Sequence, residues 1–128
     1  MRIDVFTLFP GWFDWFREQR HVQNAIALGH AIEAVDLRTT TPLRAGQVDD
    51  TPYGGGAGMV MRADVWVQAL RAIHGDDHPR TVVLTPRGRP LTQALAVELA
   101  REPRLVVCCG RYEGIDERAH ELLATDEI

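Results

Sequence analysis

The run Leu105-Val106-Val107-Cys108-Cys109 passes directly into Gly110-Arg111-Tyr112-Glu113-Gly114-Ile115-Asp116-Glu117-Arg118. An apolar run ending in glycine reads as a strand whose exit lets a ligand approach bare backbone. In open α/β sheets, ligands sit at such carboxyl ends of strands. Gly114 and Asp116 would suffice as the turn and cap of a following helix. Arg111 and Glu113 are unnecessary for that task, so the segment is a candidate site. Upstream lies a second polar cluster, Asp50-Thr51-Pro52-Tyr53-Gly54-Gly55-Gly56-Ala57-Gly58-Met59. Consecutive glycines can turn N–H groups toward a phosphate or a base edge, but they cost backbone entropy on folding. A flexible linker is the plain alternative.

Working outward, strand-like and helix-like segments alternate. Ile3 to Phe9 reads as a buried strand ended by Pro10, and Trp12, Phe13 and Phe16 fall on one helical face expected to be core. Gln19 to Leu28 reads as a helix stopped by Gly29, and Ile32 to Leu37 as a strand. Thr39 to Gly58 has no usable period and reads as one long loop. Asp64 is the expected cap of a helix with Trp66, Ala69, Leu70 and Ile73 inward, stopped by Gly75. Thr81 to Leu84 reads as a strand, Thr92 caps a helix with Leu95 and Leu99 inward, and Asp116 caps another through Leu122 and Leu123. This alternation predicts an α/β fold, a Rossmann-like, mostly parallel sheet with helices on both faces. Thr85-Pro86-Arg87-Gly88 and Gly110 to Gly114 would then end consecutive strands on one sheet edge and could share one ligand. An ordinary turn would also account for the first of these.

Composition bounds the rest. The 128 residues, 45% hydrophobic and 25% charged, fit a single domain able to bury a core. No apolar run approaches a membrane span, and an acid in the first apolar run argues against a signal peptide. Adjacent Cys108 and Cys109 would face opposite sides of a strand and form neither a disulfide framework nor a metal pattern, which suits the cytoplasm. The five histidines show no ligand spacing, so no metal is expected. The net charge of −4 gives no global attraction to nucleic acid. Arg80, Arg87 and Arg89, then Arg101, Arg104 and Arg111, form local basic clusters that read as a solvated face. The residues alone leave open a non-catalytic nucleotide- or RNA-binding α/β domain.

Three segments carry more. Asp50 to Met61, Leu84-Thr85-Pro86-Arg87-Gly88 and Cys109 to Arg118, preceded by Arg2-Ile3-Asp4-Val5-Phe6-Thr7-Leu8-Phe9-Pro10, resemble the bacterial tRNA (guanine-N1)-methyltransferases in order. These form the TrmD family of the SPOUT superfamily. The resemblance implies a SPOUT fold with a trefoil knot, incomplete within these residues. It implies S-adenosylmethionine as methyl donor and N1 of the guanine immediately 3′ of the anticodon of tRNA as target. It implies a homodimer. By the same resemblance Leu84, Thr85, Pro86, Gly110, Tyr112 and Gly114 bind the donor. Asp50, Tyr53, Gly54 and Gly55 approach the tRNA, and Glu113 lies between donor and target as the catalytic carboxylate. The family continues into a donor loop, a linker bearing a catalytic Asp and a tRNA-binding C-terminal domain. Residues 1–128 therefore correspond to the N-terminal, donor-binding SPOUT domain, expected to be inactive alone.

Overall fold

The computed structural model describes every residue from Met1 to Ile128 except Pro42. Five strands form one sheet: β1 (Arg2–Thr7), β2 (Ala31–Asp36), β5 (Arg80–Leu84), β6 (Arg104–Cys109) and β7 (Asp126–Glu127). Their order is β2-β1-β6-β5-β7 and every neighbouring pair is parallel. The mostly parallel α/β architecture read from the alternation is the observed one. Two short strands, β3 (Asp49–Asp50) and β4 (Val60–Met61), pair antiparallel as a separate ribbon.

Strand alternation builds two cores. Phe6, Val83, Val106 and Cys108 face helix α3 (Ala63–His74) and helix α5 (Glu117–Leu123), packing with Val65, Trp66, Ala69 and Ala119. Ile3, Val82, Leu105 and Val107 face α4 (Gln93–Leu99) on the opposite side, through Leu95 and Leu99. Helices thus cover both faces. Cys108 and Cys109 do diverge, and burial pushes both thiols up, Cys108 far above its ordinary range. Thr92 Oγ1 accepts from the Leu95 N–H at 3.2 Å and Asp116 Oδ1 from the Arg118 N–H at 3.0 Å, so both predicted caps form.

Four expectations need correction. Residues 10–17 are a 3-10 turn, Pro10–Phe13, and a four-residue helix α1 (Asp14–Arg17), too short to present an apolar face to the core. Trp12 and Trp15 stand 63% and 64% exposed. In α2 (Arg20–Ala27) only Val22 is buried. Asp64 does not cap α3: Arg62 occupies that position, and Asp64 lies in the first turn, where its carboxylate meets the Val65 N–H and Arg62. Ile73, expected inward on α3, is 39% exposed. The 39–58 loop carries a 3-10 turn, Arg44–Gly46, and strand β3, and a second 3-10 turn, Leu37–Thr39, runs into its start. No helix is long and apolar enough to cross a membrane among the described residues.

Candidate functional site

Because β5 and β6 are parallel neighbours, their exits open on the same edge. A cleft of about 420 Å³ lies there, lined by Leu84, Thr85, Pro86 and Arg87 from one exit and Gly110 to Ile115 from the other. Glu117 and His120 of α5 complete it. All six residues expected to hold a donor, and Glu113, line this one cavity. The β6 exit closes as a turn in which the Gly114 N–H donates to the Arg111 carbonyl at 3.2 Å. Tyr112 adopts φ 60°, a left-handed conformation uncommon outside glycine and concentrated at sites where surrounding structure enforces it.

The glycine-rich segment is sewn to this turn. The Glu113 N–H donates to the Met59 carbonyl at 3.0 Å, Met61 N–H to Gly114 at 2.9 Å, and Asp116 N–H to Met61 at 2.9 Å. A Cβ at Gly58 would stand 2.5 Å from Glu113 Cγ and 2.8 Å from Oε1, and Gly58 has φ +90°. Glycine is required there twice over, by conformation and by the carboxylate pressed against it. Gly58 is the residue the sequence reading passed over; its signal was present in the glycine run but not its partner. Gly54 and Gly55, the expected approach to RNA, lie at the exposed tip with no atom within 4 Å of a notional Cβ.

A second, smaller cleft of about 220 Å³ joins Asp50, Tyr53, Arg62, Asp64, Asp116 and Arg118. Arg62 holds Asp50 at 2.8 Å and grips Asp64 with two hydrogen bonds at 3.0 and 2.8 Å. Arg118 grips Asp116 at 2.9 and 2.7 Å and lies 4.8 Å from the Tyr53 ring centroid. The guanidinium hydrogen bonds hold the Asp64 and Asp116 carboxyls below their usual range. Asp50 and Tyr53 are therefore brought together, but beside the β5–β6 cleft rather than within it. The segment 113–118 is the wall between the two.

Arg87 lines the β5–β6 cleft on its far side. It pairs with Glu117 at 2.7 Å and with Glu127 of β7 at 2.8 Å, which depresses both carboxyls. His120 Nδ1 lies 2.7 Å from Glu127. Chain passage is tight here: a Cβ at Gly88 would stand 2.5 Å from Ile128 backbone atoms, and the Thr85 N–H donates to the Ile128 carbonyl at 2.8 Å. Arg80, Arg87, Arg89 and Arg104 all engage carboxylates, so most of the basic clusters are ion-paired, while Arg87, Arg89, Arg101 and Arg111 stay exposed as a solvated face would. Among carboxylates lining the two clefts, Asp50, Asp64, Asp116 and Glu117 each bind an arginine. Glu113 has no cation partner among the described residues.

The family model described as tRNA (Guanine-1)-methyltransferase TrmD matches residues 1–128. The chain belongs to this family. Similar curated relatives include the tRNA (guanine-N(1)-)-methyltransferases of Frankia alni, 50% identical, and Brevibacillus brevis, 45% identical. Each aligns with all of this chain and with 50% and 53% of the relative, so the chain spans about half the length of these relatives. Among solved structures, the tRNA (m1G37) methyltransferase of Aquifex aeolicus superposes with a TM-score of 0.87 at 36% identity, over 100% of this chain and 58% of that one. The fold is thus that of the TrmD branch of SPOUT proteins. The two glycine-rich segments that converge on Glu113 are among those on which the family resemblance rests.

Proposed function

We propose that the protein carrying this chain methylates N1 of the tRNA guanine immediately 3′ of the anticodon, using S-adenosylmethionine, and that residues 1–128 form its N-terminal donor-binding domain. The observation that carries this reading is the convergence of the 50–61 and 110–118 segments on one unpaired carboxylate, Glu113, beside a cleft of small-molecule size. Small-molecule sites commonly enclose roughly 300–1,000 Å³, and the β5–β6 cleft, at about 420 Å³, falls within that range. Gly110 is tightly packed at the β6 exit, where a Cβ would lie 3.2 Å from Ile115 Cγ1, so glycine keeps the main chain bare there.

When bound, the donor supplies an electrophilic methyl on a sulfonium: N1 attacks that carbon, the C–S bond breaks, and its electron pair stays on a neutral thioether sulfur. The protein's task is positioning, which can supply roughly 7–11 kcal/mol of the barrier. Leu84, Thr85, Pro86, Gly110, Tyr112 and Gly114 hold the donor. Gly54, Gly55, Tyr53 and Asp50 approach the tRNA, and Glu113 accepts a hydrogen bond from the N–H edge of the guanine. The N1 proton passes to a carboxylate base. We assign that base to an Asp in the part of the protein outside residues 1–128, in line with the chain spanning half of its relatives. That part also supplies the tRNA-binding domain. The enzyme works as a cytoplasmic homodimer, for which exposed Leu91 and Leu122 offer apolar surface.

The test is transfer of labelled methyl from S-adenosylmethionine to tRNA carrying guanosine after the anticodon, with digestion to identify the nucleoside. Full-length protein should yield 1-methylguanosine at that position and residues 1–128 alone little or none. Label at another position, or none with full-length protein, would refute the reading.

A further inference from the structure

Trp12 is a large exposed side chain that the proposed reaction leaves without a task. It follows β1, whose exit opens next to that of β6. Its indole stacks on Phe9, centroids 4.5 Å apart and planes inclined by 14°. The turn beneath is fixed: the Trp12 N–H donates to the Phe9 carbonyl at 3.0 Å, and Arg38 Nη1 to the Leu8 carbonyl at 2.9 Å. Yet the indole remains 63% exposed. The Arg111 guanidinium lies 5.6 Å from the Phe9 centroid, and Arg111 itself lines the donor cleft. Unlike Arg62, Arg87 and Arg118 around the same two clefts, Arg111 has no carboxylate partner among the described residues.

A rigid, half-open aromatic pair next to an uncommitted guanidinium matches the chemistry of single-stranded nucleic acid. Every base offers a π-face, and stacking on an aromatic side chain holds a base without demanding a sequence. An unpaired guanidinium suits the adjoining phosphate. The chain's net charge of −4 makes such a local cation the more necessary for an RNA partner. We propose that Trp12, seated on Phe9, is a stacking surface for an unpaired nucleobase neighbouring the target nucleotide, with Arg111 taking that nucleotide's phosphate. This rests on the tRNA-methylating function proposed above.

The experiment uses full-length protein and a labelled anticodon stem-loop RNA. Trp12→Ala should weaken RNA binding roughly ten-fold, as loss of one base stack implies. It should raise KM for RNA while kcat at saturation and donor affinity by calorimetry stay at wild-type values. Trp12→Phe should recover most of the loss, and Arg111→Gln should lower the salt dependence of binding by about one unit of slope. RNA affinity of Trp12→Ala equal to wild type overturns the proposal while leaving methylation intact. A Trp12→Ala protein whose oligomeric state changes in sedimentation assigns the indole to a contact between protein chains and overturns it as well. Wild-type protein that neither binds nor methylates the RNA overturns the functional reading itself.

Discussion

The two halves of the sheet treat charge in opposite ways. Toward the carboxyl edge, Glu113 stands exposed and unpaired while arginines clamp the carboxylates around it. Toward the amino edge, Asp4 is fully buried, held by Arg2 at 2.8 Å and Arg104 at 2.9 Å, with His74 Nε2 3.9 Å away. One half leaves a charge free where a ligand can meet it; the other spends its charges on tying β1, β6 and α3 together. Substitutions in the first should therefore cost activity and spare stability, and those in the second the reverse.

The sharpest break of that contrast is at Glu113. Glu113→Gln keeps the side chain's volume against Gly58 and removes only the charge. Methyl transfer should fall roughly a hundred-fold, the scale of a lost contact that positions the target base, with the urea midpoint unchanged. A drop in stability comparable to that of an Asp4 variant would erase the distinction between the halves. Next comes Gly58→Ala. The new Cβ would force Glu113 aside from 2.5 Å and would itself be strained at φ +90°. Misplacement by about 1 Å can cost roughly a hundred-fold in rate, and some ten-fold loss with donor affinity retained is the expected outcome in single-turnover kinetics. Activity at wild-type level would show that Glu113 need not sit where it does.

Asp4→Ala tests the other half. Removing one partner of a fully buried ion pair costs about 3–5 kcal/mol, but Arg2 and Arg104 reach solvent, with side chains 45% and 29% exposed. The loss should therefore be nearer 2 kcal/mol, the scale of hydrogen bonds to a charged group. Chemical denaturation measures it. Methyl transfer at saturating substrate should persist at temperatures where the variant remains folded.

Much of the carboxyl edge was legible because its signals are local. An apolar run before Gly110, a Thr-Pro-Arg-Gly turn after Leu84 and alternating helices suffice to place both exits on one edge of a parallel sheet. The Gly58–Glu113 contact was not legible, since it depends on backbone hydrogen bonds between residues 59–61 and 113–116 that no spacing announces. The aromatic residues 12, 13 and 16 misled because their helical spacing is real but α1 lasts only four residues, too few to turn a face inward. Strand β7 escaped notice because Asp126 and Glu127 carry no apolar pattern; Arg80 and Arg89 bind Asp126, and Arg87 binds Glu127, in place of a core. Asp4 inside a buried strand was visible as an acid, but its partners, Arg104 and His74, come from distant segments.

The smallest expected effect lies at His74 and concerns pH. Its side chain is 1% exposed, packed with the Phe6 ring 5.9 Å away, and neither ring nitrogen has a hydrogen-bond partner among the described residues. Burial holds its pKa below the ordinary 6.5, assisted by the positive charge of Arg104 and Arg2 and opposed by Asp4 and Asp77. The unfolded chain therefore binds a proton near pH 6.5 that the folded protein refuses. Stability contributed by the neutral ring is complete above that value and is lost as pH falls from 6.5 toward the depressed folded pKa. This window lies above that of the depressed carboxyls: for Asp126, held down chiefly by Arg80, stability is lost only as pH falls below its ordinary 3.8. Denaturation free energies measured between pH 7.5 and 5.5 should decline in the wild type and flatten in His74→Phe, which keeps the ring and removes the titration. An equal slope in both proteins would mean that the amino half of the sheet tolerates a buried imidazolium beside Asp4, and that its charge network is less closed than the geometry indicates.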